Sequence, residues 1–382
     1  MKKLLQIKKG IVISSLTIIS LSGCGGSGGS DTQVADIPET PIVPSTPSLP
    51  TNNLTKNADG DISYLYMVNR DPDCAAHVGN YHASIYDAQQ AVVLESYLTV
   101  TADATDCTFT SNNIPNHDVG ANTTTGKDFA SAVQANSKAY VLTVPRFPTI
   151  QNQAAYVEKI AGMLTLNGIL LNGVDLDMDS AFCYHPDINT PLNIGLGTRQ
   201  QCGLNADWYA VPANNPDTVT LDEYTGHAFD GRYHYHGDND GLSYFTAEET
   251  ATITSADIDP SGSPVIGFAA DGFPIYGHYF YDVDINGLRK AKSSWITYDN
   301  ERETPANSSI NPPSISTHPR GLFVEDWYYA PGSGDLDECN GMTDAYGNYG
   351  YYYTEEYPYG PICVKGPANA SFTLDASAFI GL

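Results

Sequence analysis

Coordination chemistry concentrates in the segment Gly226-His-Ala-Phe-Asp-Gly-Arg-Tyr-His-Tyr-His-Gly237. In an extended strand successive side chains point to opposite faces, so His234 and His236 share one face while Tyr233 and Tyr235 share the other. Two imidazoles placed in this way can reach a single metal ion. A third ligand is expected from His227, which lies earlier in the segment on a predicted turn, or from His117 in Ile-Pro-Asn-His-Asp or His278 in Ile-Tyr-Gly-His. Imidazole suits zinc, copper, iron or nickel, so residue type alone does not choose the metal; zinc or copper is the expectation. The plainer alternative is a set of half-buried histidines that bond the backbone across a sheet.

Acidic residues form a second set. In Asn172-Gly-Val-Asp-Leu-Asp-Met-Asp179 the carboxylates of Asp175, Asp177 and Asp179 fall on one strand face. Three such groups repel one another unless a cation or a basic side chain lies between them, which points to calcium. The same run resembles the DGxDxDxE signature of chitinase-type glycoside hydrolases. Asp179 stands where that signature has its acid, and Asn172 where it has its leading Asp, which puts hydrolysis by Asp177 and Asp179 in doubt. Two loops, Gly237-Asp-Asn-Asp-Gly241 and Asp335-Leu-Asp-Glu-Cys-Asn-Gly341, offer Asp238, Asp240, Asp335 and Asp337 as further oxygen ligands for calcium. Ordinary turn chemistry accounts for both loops as well.

The tetrad Tyr233-His234-Tyr235-His236 resembles the motif that names the YHYH-domain family. The resemblance continues in Ile114-Pro-Asn-His-Asp118, Leu171-Asn-Gly-Val-Asp-Leu176, the run Ser263 to Gly277, Leu336-Asp-Glu-Cys-Asn-Gly341 and Pro358-Tyr-Gly-Pro-Ile-Cys363, and spans about residues 105–366. It implies an exported protein and specifies no activity. Where relatives show a second histidine-containing Tyr-His-Tyr run, this chain has Gly350-Tyr-Tyr-Tyr353. If that histidine is a ligand in relatives, the site here is altered.

Strands must position these residues. Gly, Pro, Asn and Asp recur every 8–12 residues between short β-branched and aromatic runs, which predicts a mainly β fold, sandwich- or barrel-like, with one or two short helices. Predicted strands include Ile62–Val68, Ser96–Thr101, Lys138–Val144 and Val265–Ala269, and one helix is predicted over Gln151–Leu164 behind Thr149. Asp271-Gly-Phe-Pro-Ile-Tyr-Gly277 reads as a strand, a tight turn and a second strand. Six cysteines, Cys74, Cys107, Cys183, Cys202, Cys339 and Cys363, predict three disulfides, for which pairing of sequence neighbours is the expectation.

A seventh cysteine has another use. A basic start and the apolar stretch Gly10–Leu21, too short to span a bilayer, precede Leu21-Ser22-Gly23-Cys24, which resembles the bacterial lipobox. The expectation is a signal peptide over 1–23, lipid on Cys24, a Gly/Ser then Pro/Thr-rich tether over 24–58 and one domain over 59–382. Gly25 in place of an acidic residue after Cys24 favours the outer membrane. The net charge of −26 excludes nucleic acid as a natural partner, because phosphate contacts need clustered Lys and Arg. The 26 Tyr, 12 Phe and 3 Trp supply enough aromatic area for a core. Three functions are open at this point: a metal-binding protein or metalloenzyme, a calcium-stabilised module that binds surface glycans or proteins, and a hydrolase.

Overall fold

The computed structural model describes residues 60–63, 67–120, 132–134, 140–151, 155–156, 163–178, 182–190, 193–202, 206–229, 231–237, 261–305, 308 and 310–375, which lie in one compact unit beginning at Thr46. The signal, the tether, Cys24, Asp179, Asp238 and Asp240 lie outside the described residues. Among the described residues no helix is long and apolar enough to cross a membrane.

The first sheet is an antiparallel meander of β1 (Gly79–Asp87), β2 (Val92–Ala102), β3 (Asp106–Ser111) and β4 (Tyr140–Pro145). Burial alternates residue by residue along β1 and β3, so Tyr81, Ala83, Ile85, Cys107 and Phe109 enter the core. This is the period-2 signature of a sheet wet on one face.

The second sheet carries the site. Its strands are β5 (Gly168–Leu170), β6 (Asp175–Leu176), β7 (Gly226–Phe229), β8 (Arg232–Tyr235), β9 (Val265–Ala269), β10 (Pro274–Tyr276), β11 (Gly341–Thr343) and β12 (Tyr349–Tyr352). They are ordered β7-β8-β6-β5-β9-β10-β12-β11, mostly antiparallel, with parallel contacts at β8/β6 and β10/β12. The sheet is open, with β7 and β11 at its edges, so the architecture is β-rich without a closed barrel. Apart from the edge strand β11, where Thr343 is exposed, its strands are almost wholly buried on both faces, and one core cluster joins Phe109 and Leu98 of the meander to Leu176, Phe268, Ile275 and Tyr351.

The predicted strands at 96–101, 138–144 and 265–269 fall within β2, β4 and β9, save residues 138–139, which lie outside the described residues. Two predictions fail. The helix expected over Gln151–Leu164 is absent from its described part: Ala155–Tyr156 and Met163–Thr165 are strands that pair with Cys363–Val364 and Thr373–Asp375. Partners from the far end of the chain satisfy that backbone, a tertiary contact that local periodicity does not reveal. Of the stretch expected as a strand over Ile62–Val68, residues 64–66 lie outside the described residues; in the described part Ile62 and Met67 are buried, but the pairing is limited to a bridge from Asp61 to His82. Helix is confined, among the described residues, to the four-residue turns Arg199–Cys202 and Pro216–Val219 and to short 3-10 segments.

Three disulfides join sequence neighbours: Cys74–Cys107, Cys183–Cys202 and Cys339–Cys363. The first clamps the turn Cys74–His77 onto β3.

Candidate metal centre

β7 and β8 form a hairpin closed by residues 230–231, Asp-Gly in sequence, a pair favoured where both turn residues need positive φ; Gly231 takes φ +79°. The register places His227 directly opposite His234, and direct partners share a face. His227 is therefore a strand residue, contrary to the turn expected for it. His236 follows β8 by one residue and donates its N–H to the carbonyl of Thr225 at 2.9 Å. Alternation thus brings His227, His234 and His236 together on one face.

Their Nε2 atoms converge, with separations of 3.2 Å between His227 and His234, 3.1 Å between His234 and His236 and 3.1 Å between His236 and His227. Three nitrogens bound tetrahedrally at 2.0–2.1 Å from one ion lie about 3.3–3.4 Å apart. The donor set therefore fits a zinc-sized ion on the open side of the three nitrogens, with only a small outward movement of the rings.

The opposite ring nitrogens determine the protonation state. His227 Nδ1 lies 2.7 Å from the carbonyl oxygen of Val219, and His234 Nδ1 lies 3.2 Å from that of Arg232. A carbonyl only accepts, so each Nδ1 carries the proton and each Nε2 presents a lone pair. The 3.2 Å approach of His227 to His234 therefore sets two lone pairs against each other. Burial pushes His227 and His236 down to about 3 and His234 well below its ordinary value, so all three rings are neutral, the form that binds metal.

Around the imidazoles lies a buried ion cluster. Arg232, two residues before His234 on the same face, donates to Asp175 Oδ2 at 2.6 Å and approaches Asp177 Oδ2 at 3.7 Å. Asn113 also donates to Asp175. Burial raises Asp175 to about 6, against the lowering effect of Arg232. The sequence reading missed Arg232, although the Arg-Tyr-His-Tyr-His alternation assigns it to the histidine face. It also missed Asp222, which accepts from the N–H groups of Tyr224 and Gly226 and from the Tyr233 hydroxyl at 2.7 Å.

The remaining predicted residues lie elsewhere. His117 belongs to the tyrosine side of the tetrad: its Nδ1 lies 2.8 Å from the Asp118 carbonyl and its Nε2 2.6 Å from the Tyr235 hydroxyl. His278 is buried beyond β10 and is not among the groups that converge. Asp335 takes two hydrogen bonds from Arg289, both at 2.6 Å. Asp337 accepts from the N–H groups of Cys339 and Gly341 and from the Tyr349 hydroxyl, which is turn chemistry. Asp177 faces Arg232, so among the described residues the acidic sets meet protein donors. Gly350 and Tyr351–Tyr353 lie in or just after β12, which pairs with β10 and β11 and not with β8.

Comparison with curated proteins and with solved structures gives no match. The sequence model of the YHYH protein family matches residues 141–366, more than half of the chain, a span that holds the tetrad, His227 and the Asp175–Asp177 strand but begins after Ile114-Pro-Asn-His-Asp118. With that match, and with the tetrad at the centre of the hairpin that gathers three histidines, the chain belongs to the YHYH protein family.

Proposed function

We propose that this YHYH protein is an exported, lipid-anchored metal-binding protein whose ion is held by Nε2 of His227, His234 and His236. The observation that carries the reading is the pair of lone pairs facing each other at 3.2 Å between His227 and His234. With both Nδ1 positions donating to carbonyls, a shared proton would relieve that contact only by charging one ring, which burial disfavours; a cation between the rings relieves it with both rings neutral. Carbonyl acceptors behind ligand histidines are also the usual outer layer of a metal site. Zinc or copper suits a set of neutral imidazoles. Elemental analysis of protein purified without a histidine tag tests the reading: about one equivalent of transition metal is expected, and less than about a tenth, with no uptake on titration, would overturn it.

The location rests on the lipobox-like Leu21-Ser22-Gly23-Cys24 and is supported by the three disulfides, which persist in oxidising compartments. Cys24→Ala is expected to move the protein from the membrane fraction to the soluble one. A calcium-stabilised module draws less support, since Asp175, Asp335 and Asp337 are turned toward protein donors.

A further inference from the structure

Two of the carbonyls that hold the histidine hairpin come from one short loop, residues 219–226, in which two threonines are left-handed. Val219 ends the four-residue turn Pro216–Val219, and Thr220 caps that turn by donating its N–H to the Pro216 carbonyl. Thr220 takes φ +61° and ψ +45°, and Thr225 takes φ +55°. A β-branched residue is an outlier in this region, and such a conformation persists only where the surroundings impose it.

Each strained residue lies at a carbonyl that meets a histidine. The Thr225 carbonyl accepts the His236 N–H, and the Val219 carbonyl, one peptide before Thr220, accepts from His227 Nδ1 at 2.7 Å. Thr220 also reaches that second carbonyl directly. Its hydroxyl donates to the Val219 oxygen at 2.6 Å, so Thr220 and His227 together use both lone pairs of one acceptor.

The other tautomer of His227 needs no change of charge. With the Val219 carbonyl turned aside, the ring can carry its proton on Nε2 instead of Nδ1 and donate across 3.2 Å to the lone pair of His234. That arrangement satisfies the two rings without an ion and removes one ligand lone pair. On the reading that the three histidines hold an ion, whatever keeps the proton on Nδ1 therefore governs affinity.

We infer that Thr220 is a positioning residue of the centre: its left-handed backbone and its hydroxyl fix the Val219 carbonyl, and that carbonyl keeps His227 in the tautomer that binds metal.

The test titrates the full chain and its Thr220→Gly and Thr220→Ser variants with zinc(II) in competition assays. Melting of the metal-free proteins and nitrogen NMR of their histidine rings accompany the titrations. Glycine enters the left-handed region without a Cβ penalty, so metal-free Thr220→Gly is expected to melt no lower than wild type. It is nevertheless expected to bind zinc about 10-fold more weakly, with the His227 proton on Nε2 in part of the population and on Nδ1 in wild type. Thr220→Ser keeps the hydroxyl and is expected to stay within about threefold of wild type. Unchanged affinity in Thr220→Gly, a loss that tracks a fall in melting temperature, or an equal loss in Thr220→Ser would overturn the inference and leave the three-histidine reading standing. Wild-type protein that takes up no zinc would overturn that reading and the inference with it.

Discussion

His227 and His234 are direct cross-strand partners whose Nε2 atoms face each other at 3.2 Å, each ring turned by a carbonyl at its other nitrogen. Without a cation the arrangement is repulsive, so an ion that binds the fold and not the unfolded chain stabilises it. At a free concentration one hundred times Kd the gain is about 2.7 kcal/mol. Chelation is expected to lower the melting temperature by several degrees, and His234→Gln, which removes a ligand, is expected to abolish that difference. Equal melting of wild-type protein with and without chelator would contradict the assignment.

His117 gives a prediction about pH that is separate from the ion. Burial lowers it to about 4, with the Asp118 carbonyl opposing. The unfolded chain protonates this ring near pH 6.5 and the fold refuses the proton. Its share of stability is therefore complete above about pH 6.5 and is lost as pH falls toward 4, at about 1.4 kcal/mol per pH unit. Stability is to be measured by urea unfolding across this window for wild type and His117→Gln. The difference between the two curves should carry that slope and flatten below pH 4; parallel curves would show that His117 is not held neutral.

Gly226 begins β7 where the Tyr233 ring passes. A Cβ there would lie 2.3 Å from the Tyr233 hydroxyl oxygen and 2.5 Å from Cζ. Gly226→Ala must push the ring away from Asp222, and a loss of about 1–3 kcal/mol in urea unfolding is expected. Pairing it with Tyr233→Phe, which removes the hydroxyl, should recover part of that loss. No recovery would place the strain elsewhere.

Arg232→Met leaves the Asp175 carboxylate buried without its closest cation, an expected cost of about 3–5 kcal/mol near pH 8. Arg232 lowers Asp175, so in the variant Asp175 takes up a proton at a higher pH than in wild type; the cost should shrink as pH falls toward about 6 and level off below it. Adding Asp175→Asn should restore much of the stability at pH 8. Strict additivity in the double-mutant cycle would mean that the two side chains do not act as a pair.

The sequence revealed the histidine face well because strand alternation is a local rule. His234 and His236 needed only their spacing, and neighbour pairing of the cysteines matched the bonds. Register was harder to read. His227 meets His234 because two residues close the hairpin, information present in Asp230-Gly231 but not used for the site. Long-range pairing was harder still: Asp175 and Asp177 reach Arg232 through a parallel contact between β6 and β8, and Ala155–Tyr156 finds its partner at Cys363–Val364. Neither pairing leaves a periodic trace. The aspartates read as a repelling row because the guanidinium between them comes from another part of the chain.

Tyr233 and Tyr235 point away from the imidazoles and fasten to Asp222 and to His117 and Asn172. A slip of one residue along β8 would exchange phenols for imidazoles on both faces. The slipped hairpin would lose its buried hydroxyl partners and its three nitrogens in one stroke. Ion uptake would then report the register of the newly folded chain, since only the correctly registered hairpin brings the three nitrogens together.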